Sequence, residues 1–291
     1  MSLGRLAVVG VVVLIAAGCS NKKPVVPPEK LWSEGNAAFK DEAYEIAVER
    51  FKALLDQHPF DENAEEAELK IGQAHYFAQR YPEAIAAFGD FERMHPTSPS
   101  LPVVEYHLGL SYLAQATTTD RDQQNYSNAL GYFRNIVDRF PSSPWAEKAR
   151  LRMRECREAL AGHEAGVTAY YLRQGNLRAA EARLRELLTE YPETDATAQA
   201  LYSFAQAYSR RKEDDGATLA LATLARHHPD GPLGRDAKHR LESAPGTVDG
   251  TDPLPLLVDR IDRMRSEADR QKVRPTVSAY PDAPAGSTPG Y

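Results

Sequence analysis

The chain has 291 residues, of which 42% are hydrophobic and 26% charged, and its formal net charge is −6. These proportions are typical of a folded protein with enough apolar material for one extended domain or two compact ones. The acidic balance disfavours nucleic acid as a partner, because phosphate binding requires clustered basic residues. Only two cysteines occur, Cys19 and Cys156. Since Cys19 has a different predicted role, no disulfide framework is available, and Cys156 is expected to be a buried packing thiol.

Residues 1–18 predict an export signal. Arg5 precedes an apolar run over residues 6–17, which is too short to span a membrane but has the length of a secretory signal. The run ends in a string that resembles the lipobox of bacterial lipoproteins, Leu14-Ile15-Ala16-Ala17-Gly18-Cys19-Ser20. The alternative is an ordinary cleaved signal followed by a chance cysteine.

The lipobox resemblance implies cleavage before Cys19 and a covalent diacylglycerol and acyl lipid on that residue. More than one acyl chain is what stable membrane anchoring requires. Ser20, where an aspartate would retain the protein at the inner membrane, implies the periplasmic face of an outer membrane. Residues 19–29 contain three prolines and predict a semi-rigid, extended tether.

One pattern recurs five times along the body of the chain. A small residue is followed by two bulky apolar residues at helical spacing and then by a proline, in Ala47-Phe51-Leu54-Pro59, Ala84-Phe88-Phe91-Pro96, Ala129-Phe133-Ile136-Pro141, Ala180-Leu184-Leu187-Pro192 and Ala217-Leu221-Leu224-Pro229. The spacing places the apolar residues on one face of a helix, and the proline cannot continue that helix. Each copy therefore predicts the second helix of a helical hairpin.

An apolar-periodic segment precedes each copy and predicts the first helix of the same hairpin. These segments cover residues 31–40, 64–80, 103–115, 145–174 and 196–211. The repeat length exceeds the roughly 34 residues of the tetratricopeptide repeat, which we attribute to a polar loop over residues 117–125 and to the long first helix of the fourth repeat. We expect an all-α fold, a superhelical solenoid of five tetratricopeptide-like hairpins over residues 30–242 with one continuous core.

Residues 243–291 are rich in proline, glycine, serine and threonine and predict a mostly disordered tail. Within the tail, five apolar residues at helical spacing predict a short amphipathic helix over about residues 254–271, namely Leu254, Leu257, Val258, Ile261 and Met264. This helix is expected either to cap the last repeat or to bind a partner.

No sequence signature supports catalysis, since the chain lacks a glycine-rich phosphate loop, a zinc-protease motif and a nucleophile elbow. We therefore predict no enzyme, no catalytic residues, no metal site and no cofactor beyond the lipid on Cys19. A repeat solenoid instead offers its concave face, lined by first helices, to an extended peptide or a helix. Candidate anchors for a peptide with an aromatic terminus are Tyr76, Tyr106, His107 and Tyr112. The alternative for each is plain packing between repeats.

Over residues 31–211 the chain resembles the BamD family of outer-membrane assembly lipoproteins, also called YfiO or ComL. The most specific strings are His95-Pro96-Thr97-Ser98-Pro99, Tyr106-x-x-Gly109-Leu110, Arg121-Asp122-Gln123, Tyr170-Tyr171 with Gly175, and Tyr191-Pro192-Glu193-Thr194-x-Ala196-Thr197. General tetratricopeptide proteins share the repeated pattern but not these strings. The tail is longer than expected for the family.

The resemblance implies an essential scaffold of the β-barrel assembly (BAM) machinery that joins the barrel subunit BamA and other assembly lipoproteins. It implies that the N-terminal repeats recognise the C-terminal signal of unfolded outer-membrane proteins. It also implies that Arg183 contacts BamA, where a guanidinium can form a bidentate pair with a carboxylate. Other envelope adaptors of this repeat class, linked to the cell wall, division or DNA uptake, remain alternatives.

Overall fold

The structure, a computed structural model, describes residues 25–116, 123–243 and 250–273. The signal peptide, Cys19, most of the predicted loop over residues 117–125 and the end of the tail lie outside the described residues. The regular elements of the described ranges are all helices: α1 Pro28–Lys40, α2 Tyr44–Gln57, α3 Ala64–Phe77, α4 Tyr81–Met94, α5 Leu101–Gln115, α6 Gln123–Arg139, α7 Pro144–Arg173, α8 Leu177–Glu190, α9 Asp195–Arg210, α10 Asp214–His227, α11 Pro232–Glu242 and α12 Pro253–Val273. None of these helices combines the length and the apolarity that crossing a bilayer would require.

Helices α1 to α10 form five consecutive hairpins, which confirms the predicted all-α solenoid. The first helices α3, α5, α7 and α9 also contact one another from hairpin to hairpin. Within the described ranges the second helices of neighbouring hairpins make no comparable contact. The first helices therefore line the inner, concave side of the stack.

The repeated sequence pattern forms the core. Its small and bulky apolar members are buried in every repeat except for Leu221, which is half-buried, while the closing prolines lie at the surface. In four of the repeats the residue before the closing proline ends the helix with φ between −123° and −138°, at His58, His95, Tyr191 and His228. A following proline disfavours the helical conformation at that residue, so the pattern fixes both the buried face of the helix and its end.

Three glycines set how closely the helices of the first three hairpins approach. A Cβ atom added to Gly35 would lie 2.6 Å from the ring of Phe51. The same atom would lie 2.5 Å from Phe88 if added to Gly72, and 2.5 Å from Phe133 if added to Gly109. Real carbon atoms do not approach so closely, so each phenylalanine occupies the space that its glycine leaves open.

The long first helix of the fourth hairpin, α7, begins and ends within one residue of its predicted bounds. Side chains cap the start of α7 and the start of α9. The Ser143 hydroxyl accepts the Trp145 backbone N–H at 3.2 Å, and the Thr194 hydroxyl accepts the Thr197 backbone N–H at 3.2 Å.

Helix α11 was not predicted. It packs on α10 and α9 in the position of a further first helix, and its buried residues are the small Gly234 and Ala237. Its sequence lacks the pattern of one small residue, two bulky apolar residues and a closing proline on which the hairpins were predicted. Helix α12 lies at the predicted amphipathic segment and returns onto α10 and α8, where it buries Leu257 and Ile261.

Candidate functional site

Aromatic side chains from four first helices form a connected row across the inner side of the solenoid. This aromatic row consists of Phe39 on α1, Tyr76 and Phe77 on α3, Tyr106 and His107 on α5, and Trp145 on α7. The ring centroids are 6.0 Å apart for Phe39 and Phe77, 5.4 Å for Tyr76 and His107, and 5.0 Å for Tyr106 and Trp145. Such distances are those of favourable edge-to-face and offset ring contacts.

The middle of the aromatic row is its most buried part. Tyr106 and His107 are 9% and 7% exposed, whereas Phe77 is 47% exposed. His107 Nδ1 donates to the Val103 carbonyl at 2.8 Å. Burial is the main cause that lowers the pKa of His107, so its ring is neutral and Nδ1 carries the proton. Tyr106 and His107 thus form an uncharged, buried floor of the row, and Phe77 exposes an aromatic ring beside it.

Cations lie along the edge of the aromatic row. Lys148 Nζ lies 4.3 Å from the ring centroid of Trp145, and Lys70 Nζ lies 5.2 Å from that of Phe39. Hydrogen bonds that Arg152 donates to Glu155 and Tyr106 raise its pKa, and they place a second α7 cation beside Tyr106. An apolar aromatic surface with positive charge at its edge suits a ligand that combines an aromatic side chain with a carboxylate.

The four predicted peptide-binding residues do not all meet. Tyr76, Tyr106 and His107 belong to the aromatic row, whereas Tyr112 stacks on Tyr132 of α6, with centroids 5.7 Å apart and planes at 14°. The remaining members of the row and its cations were not predicted from the sequence. A signal was available for two of them, because Phe77 directly follows Tyr76 and Trp145 directly follows the first-turn proline of α7.

A second surface lies on α8, where the resemblance placed a partner contact. Arg183 is 41% exposed and already has two partners, since Nη1 lies 3.3 Å from Glu164 Oε2 and 3.2 Å from Glu186 Oε2. Two residues further on, Arg185 Nε lies 2.6 Å from Asp262 Oδ1 of α12. At about 100° per residue the two side chains leave α8 on nearly opposite sides, so α12 packs on the side of α8 away from Arg183.

A cavity of about 600 Å³ opens between the start of α8, Arg211 and α12. Four arginines and one glutamate are the charged residues that line it, namely Arg178, Arg185, Arg211, Arg265 and Glu181. In a chain with a net charge of −6, such a concentration of positive charge favours an acidic partner segment.

The sequence profile of the outer membrane lipoprotein family YfiO matches residues 24–218. The chain belongs to this family. The match contains the five hairpins up to the start of α10, and therefore the whole aromatic row, whereas α11 and α12 lie beyond it.

Relatives in several bacteria are named as outer membrane protein assembly factors. The outer membrane protein assembly factor BamD of Caulobacter vibrioides is 31% identical over 261 residues, which are 86% of this chain and 85% of the relative. BamD of Vibrio cholerae is 31% identical over 206 residues, covering 66% of this chain and 86% of the relative. BamD of Rickettsia prowazekii is 28% identical over 232 residues, covering 78% and 91%.

Proposed function

We propose that this YfiO family member is an outer-membrane protein assembly factor that works as a non-catalytic scaffold of the β-barrel assembly machinery. The names of its relatives support this function. The lipobox supports a lipid anchor on Cys19 at the periplasmic face of the outer membrane. Within the described residues the conspicuous features are surfaces for other polypeptides, an aromatic row and an arginine-lined cavity.

The aromatic row carries the proposal for substrate recognition. An unfolded outer-membrane protein that ends in an aromatic residue would place its last side chain against Phe77 and Trp145, over the floor formed by Tyr106 and His107. Its terminal carboxylate would lie beside Lys148 and Arg152 on α7. Aromatic contacts and a charge pair on one short segment give both affinity and direction along the row.

A fluorescent peptide that ends in phenylalanine with a free carboxylate tests this site. We expect Phe77→Ser to weaken its binding about tenfold, because burying an aromatic side chain is worth roughly 1.5–3 kcal/mol and about 1.4 kcal/mol corresponds to a factor of ten. Lys148→Glu is expected to weaken binding of the free carboxylate more than binding of the same peptide as its amide. Fluorescence anisotropy measures each affinity.

Tyr170→Ser is the matched control. Tyr170 is 51% exposed on α7, and its recorded ring contact is to Tyr171, outside the aromatic row. This variant is expected to bind the peptide as the unmodified chain does. Equal affinities for Phe77→Ser and Tyr170→Ser would contradict the assignment of the row to peptide binding.

We place the contact with the BamA-like barrel subunit, and through it the other assembly lipoproteins, on the α8 surface around Arg183. Arg183 would exchange the half-exposed Glu186 for a carboxylate of the barrel subunit and would keep its pair with the largely buried Glu164. Keeping that pair avoids leaving a buried charge without a partner, which would be costly. Arg183→Glu is expected to reduce co-purification of the barrel subunit from solubilised envelopes, while Arg150→Glu on the exposed side of α7 leaves it unchanged. Equal recovery with both variants would remove Arg183 from the interface.

A further inference from the structure

Phe60, in the turn between α2 and α3, is 99% exposed. It directly follows the closing proline of the first hairpin. The residues at the same position after the other closing prolines are all polar, namely Thr97, Ser142, Glu193 and Asp230. A single exposed apolar residue is ordinary on a protein surface. In this chain, however, the four equivalent turns have a polar residue at the same solvent-exposed position, so the phenylalanine departs from the pattern of its own repeats.

The N-terminal tether is fastened beside the same turn. The Val26 backbone N–H donates to Gln57 Oε1 at 2.8 Å, and the Val26 carbonyl accepts from His58 Nε2 at 2.7 Å. Gln57 and His58 form the end of α2, next to Phe60 in the chain. Val25, just before the fastened residue, is 73% exposed. The chain thus enters the solenoid at the end that displays Phe60.

The length of the tether limits how far this end can lie from the membrane. Val26 is the seventh residue after Cys19, and a fully extended residue spans at most about 3.3–3.6 Å, so the tether reaches at most about 25 Å. With lipid on Cys19, Val26 lies within this distance of the bilayer, and the end of α2 that it contacts lies close to that limit. Lys22 and Lys23 in the tether offset the charges of Asp61 and Glu62 next to the turn.

We propose that Phe60 inserts into the lipid surface, with Val25 beside it, and that the pair fixes the orientation of the solenoid on the membrane. The acyl chains hold the protein at the bilayer, and a second apolar contact at the base of the tether restricts its rotation. This inference rests on the lipid anchor of the proposed function.

Site-specific fluorescence on the lipidated full-length chain in phosphatidylcholine vesicles tests the insertion. Phe60→Cys carries an environment-sensitive nitrobenzoxadiazole label, and Thr97→Cys is the matched site in the next equivalent turn. Burial raises the pKa of the Cys156 thiol to about 12, so Cys156 stays unlabelled. We expect the emission at position 60 to shift to shorter wavelength and to be quenched by nitroxide-bearing lipids. Emission at position 97 should remain that of a label in water.

The outcomes separate this inference from the anchor on which it rests. If the protein floats with vesicles while iodide quenches both positions equally, the anchor stands and the insertion of Phe60 is wrong. If the shift at position 60 follows the protein concentration and ignores lipid nitroxides, Phe60 contacts a second copy and the lipid assignment is again wrong. A chain that fails to float overturns the anchor and the insertion together.

Discussion

In the first three hairpins a glycine on the first helix faces a phenylalanine on the second, as Gly35 does Phe51. In the first two hairpins the pair lies 16 residues apart, and the same count in the last two hairpins gives Thr168 with Leu184 and Ala205 with Leu221. Thr168 and Ala205 are buried, as the glycines are. A larger residue on one helix thus accompanies a smaller one on the other, so the filled volume is kept while the shape of the contact changes.

The two regions also bury a glutamate in different ways. Glu105 of α5 is fully buried, and its recorded partner is Arg139 at 2.7 Å, while Oε2 has no hydrogen-bond partner among the described residues. Glu181 of α8 accepts from the Tyr208 hydroxyl at 2.7 Å and lies 3.6 Å from Arg260. Burial is the main cause that raises the pKa of both carboxyls.

Arg260 shows why the C-terminal region includes an added helix. It belongs to α12, lies 4.5 Å from the ring centroid of Tyr208 and forms an ion pair with Glu213 at 2.6 Å. One side chain from α12 thus balances the charge of two carboxylates around Tyr208. The N-terminal hairpins pack rings against glycines and pair their buried Glu105 with Arg139 of the repeats themselves. In the last two hairpins the balancing charge comes from α12, outside the repeats.

Among the substitutions that test this comparison, Gly109→Ala is expected to change the free energy of unfolding most. The new methyl group would overlap the buried Phe133 ring, and overpacking of this kind costs about 2 kcal/mol. The double variant Gly109→Ala with Phe133→Leu copies the Ala205 and Leu221 pair, and we expect it to recover part of the loss. Urea unfolding of the single and double variants measures both free energies.

Gly162→Ala is the control for this substitution. Gly162 lies within α7, and a Cβ atom there would meet nothing within 4 Å. Replacing a helical glycine by alanine in open space is expected to stabilise the chain by roughly 0.5–1 kcal/mol. If Gly109→Ala also stabilised the chain, the proposed fit between the glycines and the rings would be wrong.

The sequence predicts the hairpins well because the buried face of each second helix and its closing proline lie in one short pattern. It does not predict α11, which buries Gly234 and Ala237 and therefore owes its position to the surface of α10 and α9. Leu233, Ala237 and Leu241 do have helical spacing, but the segment lacks the bulky pair and the closing proline that mark the repeats.

The aromatic row was predicted only in part, for a geometric reason. Tyr112 lies about 120° around the helix from Tyr106 at 100° per residue, so the two side chains leave α5 on different faces and Tyr112 meets Tyr132. Trp145 joins the row because α7 begins beside Tyr106. That position depends on how the hairpins stack, which local spacing does not determine.

The smallest expected effect is a pH dependence of stability that comes from Glu105. This buried carboxyl of the N-terminal region is only partly paired. Burial raises the pKa of Glu105 from 4.5 to about 7. The positive charge of Arg139 opposes this rise, and the negative charge of Glu92 adds to it. The folded chain therefore binds this proton more tightly than the unfolded chain. The resulting stability is fully present below about pH 4.5 and is lost as the pH rises through 7.

Between about pH 6 and pH 8 this group alone should lower the free energy of unfolding by about 1 kcal/mol. Glu105→Gln removes the titration, so the stability difference between the variant and the unmodified chain should change by that amount across the range. Glu147→Gln on the exposed side of α7 is the control and should run parallel to the unmodified chain. Arg139 is half-exposed and water screens its charge, so we do not expect it to keep Glu105 ionised. If the curve for Glu105→Gln also ran parallel to that of the unmodified chain, Arg139 would be keeping Glu105 ionised despite its burial, and this prediction would be wrong.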